Sequence, residues 1–353
     1  MRWGWHKKNR FRFKGSRVRS VMVFWRRLTL GVALAWSAAP SLAWAQNPHL
    51  AVIVGLAGDP EYAELYGKWA AALVDAATGR YGLPRERVQY LTEKPEADAK
   101  RTTGRSSRDE IVKAFDKLAA GAADDVVFIV LFGHGTDDGK VAKFNLPGRD
   151  MTAGEFEPLL KKLAPRRVVL INTASASGPF IEALSGPGRT IVTATRNGRE
   201  SFATIFGGYF VDAFSSDAAD ADKNKRVTVL EAFDYARREV ATAYERQGII
   251  LTEHALLDDS GDKEGTAQPT ADGKEGRVAA LLALGSVGQG EALPGDPRLR
   301  GLYEERRALE RQVESLRLMK DSMDAQRYAG ELEKLLTDLA LKSREIRELE
   351  GKK

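Results

Sequence analysis

Two apolar runs that stop on small and polar residues constrain this chain more than any other feature. Val126-Val127-Phe128-Ile129-Val130-Leu131-Phe132 ends at Gly133-His134-Gly135, and Arg167-Val168-Val169-Leu170-Ile171 ends at Asn172-Thr173-Ala174-Ser175-Ala176-Ser177-Gly178. Short runs that stay apolar without alternating read as strands buried on both faces, the pattern of a parallel sheet covered by helices. In such sheets ligands and catalytic groups sit just beyond the carboxyl ends of the strands. A histidine and a serine are therefore expected at one rim, which is the layout of a base and a nucleophile.

The neighbouring segments extend the alternation. Leu50 to Gly55 reads as a strand, 60–79 as a helix with Leu65, Trp69, Leu73 and Val74 on one face, and Arg87 to Leu91 as a strand. Residues 94–105 are polar and read as a loop. Helices are predicted from Ser107 to Ala120 and from Thr152 to Leu163, each opened by a capping box (Ser107 with Glu110, Thr152 with Glu155). Thr190 to Thr195 is a further strand, and 201–216 and 228–247 are helices. The class predicted is α/β, a parallel sheet with helices on both faces, filling 46–262.

Residues 263–298, rich in Gly, Asp and Pro, read as a linker, with Val278 to Leu284 able to add one short element. Residues 299–353 read as a helical coiled coil or hairpin. Leu302, Leu309, Leu316 and Met323 form one heptad series and Leu332, Leu339 and Ile346 another, with a slip between them around 321–328. Self-association through 299–353 is the leading expectation, with a partner-binding helix or a hairpin on the body left open.

Residues 1–45 stand apart. They hold ten Lys or Arg and no Asp or Glu, then an apolar stretch from Leu28 to Leu42 and an Ala43-Trp44-Ala45 exit. This reads as a signal peptide for a periplasmic or secreted protein, too short in its apolar part to leave a stable membrane span after cleavage. Met22 is an alternative start, and Arg26-Arg27 leaves a twin-arginine route open. Removing this leader takes the net charge from +5 to −5, so the basic balance gives no case for nucleic acid. The chain has no cysteine, which excludes disulfides, thiolate catalysis and Cys-ligated zinc.

The two strand-end motifs, in this order and on consecutive strands, resemble the caspase/legumain clan of cysteine peptidases, of the C13 type, over roughly 48–260. The clan carries His-Gly at one strand end and a small-Ala-Cys-x-Ser-Gly pattern at the next; here Ser175 stands at the cysteine position. The resemblance implies His134 as general base, Ser175 at the nucleophile position, and the N–H groups of Gly135 and Ser175 as oxyanion donors. Serine is far less acidic than cysteine and needs a well-oriented base, usually held by a third group. The resemblance and the exchange together imply a catalytically impaired pseudopeptidase acting on a protein or peptide by binding or assembly. The alternative is a serine-dependent peptidase or acyl hydrolase using Ser175 and His134. Asp137 and Asp138 either orient His134 or form a solvated turn ending at Gly139, the reading preferred here.

Two further patterns suggest metals. Asp220-x-Asp222-x-Asn224-x-Arg226-Val227-Thr228-x-x-Glu231 fits a calcium loop, with the backbone of Arg226 as the carbonyl ligand and Lys225 where glycine is expected. Ca2+ there is a candidate cofactor, and a calcium-responsive scaffold is a third functional reading. His254 with Asp258 is a weaker candidate, and Ser175 and Ser177 also suit helix N-caps before Phe180.

Overall fold

The computed structural model describes residues 47–285 and 293–351; the leader expected at 1–45 lies outside the described residues. Strand β1 (Pro48–Val54) leads into helix α1 (Pro60–Asp75), then β2 (Val88–Thr92), a two-residue β3 (Gly104–Arg105), α2 (Arg108–Ala119) and β4 (Val126–Phe132). Next come three short strands, β5 (Gly135–Asp137), β6 (Ala142–Phe144) and β7 (Met151–Thr152), which the sequence pattern does not announce. Helix α3 (Ala153–Lys162), β8 (Arg167–Asn172), α4 (Pro179–Leu184), β9 (Arg189–Thr193), α5 (Phe206–Ser215), α6 (Val229–Gln247) and β10 (Leu256–Asp258) complete the domain. Helices α7 (Pro297–Leu318) and α8 (Ala325–Glu350) follow. None of the described helices is long and apolar enough to cross a membrane.

The main sheet has the order β10-β9-β8-β4-β1-β2-β3. All its pairs are parallel except β10 with β9. Strand parity builds two cores. Leu50, Val52, Val54, Phe128, Val130 and Phe132 face α1, α5 and α6. Ala51, Ile53, Val127, Ile129 and Leu131 face α2, α3 and α4. Successive strand side chains point to opposite faces, so one unbroken apolar run feeds both layers. The class predicted from the sequence is the class observed.

Local signals act as the sequence suggests, with one shortfall. Thr152 with Glu155 and Thr228 with Glu231 close full capping boxes. Ser107 accepts from Glu110 N, but the Glu110 carboxylate turns to Lys113, so that box is half formed. The segment expected as a linker differs more. Residues 263–285 pack on the domain: Ala279, Leu282 and Leu284 are buried, and Thr266 bridges to Leu257. Their Gly and Asp content supplies turns over an apolar anchor rather than freedom.

In the tail the heptad slip is a turn. Helix α7 stops at Leu318, and α8 starts at Ala325 after Asp324 caps its first turn. The two helices form a hairpin, tied by Tyr303 to Glu350 and Lys342 to Glu305. Val313, Leu316 and Ile346 are buried. The seam thus finds a partner within the chain. Arg226 pairs with Glu314, and Arg167 donates to Leu318 O at 2.7 Å, holding α7 on the domain.

Candidate active site

β4 and β8 pair directly, with Leu131 opposite Asn172, so their following turns share one end of the sheet. Gly133, at φ 155° with Phe144 packed beside it, turns the chain out of β4 and presents His134. The residue after it must also be small: a Cβ on Gly135 would lie 2.3 Å from the Ser175 carbonyl. That close approach explains Gly135, as the positive φ explains Gly133.

The imidazole of His134 is half-buried against α1. Its Nε2 lies 3.5 Å from the Tyr66 hydroxyl, and the Tyr62 ring meets it edge-on with centroids 4.7 Å apart. Burial pushes its pKa below the ordinary value, and a hydrogen bond with the Ala57 backbone pulls it partly back up. Desolvation disfavours the imidazolium and so favours the neutral form, the one a base requires. Tyr66 is itself buried, and its phenol is pushed well above the usual range by desolvation, with Tyr62 adding to the effect.

Ser175 is 2% exposed and sits in the turn after β8. Its Oγ accepts from Gly135 N at 3.1 Å and donates to Gly135 O at 3.1 Å. Among the described residues no hydrogen bond joins this hydroxyl to His134, and the Ser175 N–H donates to nothing. The turn is tight. Ala176 lies at φ 51°, a left-handed conformation uncommon for alanine, and its N–H donates to Glu200 O at 2.8 Å. Thr173 donates to Leu131 O and accepts from Thr204 at its own carbonyl, fixing the turn to β4 and to the loop before α5.

Asp137 and Asp138 do not reach the imidazole. Asp137 accepts from Gly139 N, and Asp138 accepts from Lys140 N and Val141 N, so both cap the turn between β5 and β6. His134 has no carboxylate to orient it among the described residues. Ser177, expected as an N-cap, bonds to Thr195 instead, and Gly178 takes the cap position of α4 without a side-chain bond.

The calcium-loop residues gather, and their carboxylates also accept hydrogen bonds from the loop. Carboxylate oxygens of Asp220, Asp222 and Glu231 lie within 4.8 Å of one another. Asp220 accepts from Asn224 N and Lys225 N, Asp222 from Asn224 N and Nδ2, and Glu231 from Ala221 N, Thr228 N and Thr228 Oγ1. Lys225 adopts φ 65° where glycine was expected. The Arg226 side chain is drawn to Glu314, and Asn224 Oδ1 accepts from Arg226 N. His254 does not face Asp258: its Nδ1 is 2.7 Å from Glu200 Oε1.

Sequence reasoning missed the packing of Tyr62 and Tyr66 around His134; their spacing of four on α1 was the available signal. It also missed Glu253, a buried carboxylate that caps the start of α5 by accepting from Ile205 N and Phe206 N.

Residues 103–256 match the model of the Peptidase C13 family, a span that contains both His134 and Ser175. That match supports a caspase/legumain-like domain. Among solved structures the chain is similar to the Drosophila initiator caspase Dronc, with a TM-score of 0.39 and 10% identity over 61% of this chain and 82% of that one. No curated protein matches the chain.

Proposed function

We propose that this chain is an exported caspase/legumain-like pseudopeptidase, which binds a protein or peptide or serves in assembly rather than cleaving a substrate. The observation that carries this reading is the direction of the Ser175 hydroxyl: it bonds to both backbone groups of Gly135 and not to the imidazole. Serine has to lose its proton during attack, and here the base is not hydrogen-bonded to it. His134 also lacks an orienting carboxylate, a loss that by itself costs about four decades in rate where a triad is the norm.

Export to the periplasm or beyond rests on the basic start, apolar stretch and Ala-x-Ala exit of 1–45. The tail is the candidate assembly surface, since Leu336 and Leu341 of α8 remain exposed outside the hairpin seam. A serine-dependent peptidase or acyl hydrolase is the competing reading, favoured by the Ser175 N–H, which donates to no described group and so suits an oxyanion.

Incubation of the mature chain with a fluorogenic peptide library and an activated ester separates the two. The expected result is no turnover above the Ser175→Ala variant. Turnover lost on that substitution overturns the pseudopeptidase reading.

A further inference from the structure

A second group of carboxylates lies at the far edge of the sheet. Asp258 ends β10, and the chain then folds through Asp262 so that Glu275 comes back against it. One oxygen from each of Asp258, Asp262 and Glu275 lies within 4.8 Å of the others. Unlike the Asp220 group, this one holds oxygens without donors. Asp258 is 1% exposed and Glu275 is 7% exposed, and both Asp258 Oδ2 and Glu275 Oε1 are buried without a hydrogen-bond partner.

The other oxygen of each is fixed by the backbone. Asp258 Oδ1 accepts from Gly261 N at 3.0 Å; Glu275 Oε2 accepts from Asp259 N at 2.7 Å and Ser260 N at 3.1 Å. Asp262 Oδ1 accepts from Glu264 N, and its Oδ2 pairs with the exposed Lys274. Asp259 stands behind them, with its oxygens taken by Gly276 N and Ala279 N. Backbone N–H groups therefore hold two carboxylates rigidly while one oxygen of each stays bare. Leaving such oxygens unpaired in the interior costs free energy.

We propose that Asp258, Asp262 and Glu275 form a calcium site that fastens the closing strand β10 to the turn at 270–276. The donor set is all oxygen, which suits a hard cation. Among the described ion pairs this cluster has one, Asp262 with Lys274, against three carboxylates. Oxygens within 4.8 Å of one another can share a Ca2+ shell with metal–oxygen distances of about 2.4 Å. Mg2+ keeps several waters in a strict octahedron, which two buried and backbone-fixed carboxylates do not readily allow.

The test uses the chelator-stripped mature chain and CaCl2, with MgCl2 as comparison. Titration calorimetry and melting are read for the wild type, Asp262→Asn, and a double variant, Asp220→Asn with Asp222→Asn, that disables the other acidic loop. Asp262 is chosen because it is the exposed member, so its loss spares the packed carboxylates. Calcium is expected to raise the melting temperature by about 5 °C at about a hundredfold excess over Kd, with magnesium much weaker. The double variant is expected to keep one calcium per chain, and Asp262→Asn to weaken binding by about tenfold or more. No calcium effect on the wild type, no calcium bound by the double variant, or undiminished binding by Asp262→Asn each overturns the proposal.

Discussion

The chemistry at this rim turns on single atoms of two residues. His134 points to Tyr66 and Ala57, while Ser175 points to Gly135. A cysteine at 175 tests that arrangement directly, because the chain has no other thiol. In the observed geometry the thiol of Ser175→Cys is buried and unpaired with imidazole. Burial raises a thiol pKa, and only the thiolate reacts. Alkylation by iodoacetamide near neutral pH is expected at least about tenfold slower than for free cysteine. Alkylation faster than free cysteine would reveal a thiolate held by the imidazole, and with it a dyad that the serine masks.

At the scale of elements, the rim rests on the small sheet of β5, β6 and β7. Phe144 of β6 is fully buried, packs beside Gly133, and pairs with Gly135 across the ladder. It thus supports both glycines that flank His134. Phe144→Ala is expected to cost about 3–5 kcal/mol, measured by urea unfolding, because the rigid rim cannot collapse into the space left. A cost below about 1 kcal/mol would mean that this sheet is not part of the cooperative core. The three strands are too short for alternation to register in the sequence, so only the pairing defines them. The helices were legible because their caps and apolar stripes are local; Thr152 with Glu155 is read within four residues.

For the molecule as a whole, the question is how firmly the tail hairpin belongs to the domain. Arg226 and Glu314, 88 residues apart, meet with side chains only 14% and 18% exposed. Burial pushes the Glu314 carboxyl above its ordinary pKa even though Arg226 opposes it, so the pair is a costly one to bury. Removing one partner leaves the other charge stranded. Glu314→Ala is expected to lower stability by about 1–3 kcal/mol in denaturant unfolding. The double variant with Arg226→Ala is expected to recover part of that loss. A loss in the double variant equal to the sum of the two single losses, with no coupling, would show the tail to be only loosely held.

What the sequence determined alone is what short-range pattern encodes. Apolar runs set the parallel sheet, parity divided its two cores, and the small residues around His134 and Ser175 marked one rim. The phase slip in the tail heptads marked the turn between α7 and α8, though not that the seam closes within one chain. Tertiary structure alone decided the rest. Tyr66 reaches His134 across 68 residues, Glu200 takes His254 from Asp258, and Glu275 returns from a Gly-rich stretch to stand beside Asp258. Hydrogen bonds and burial act over a few ångströms in space, whatever the separation along the chain. The direction of a side chain at a strand end is therefore fixed by neighbours that no local pattern records.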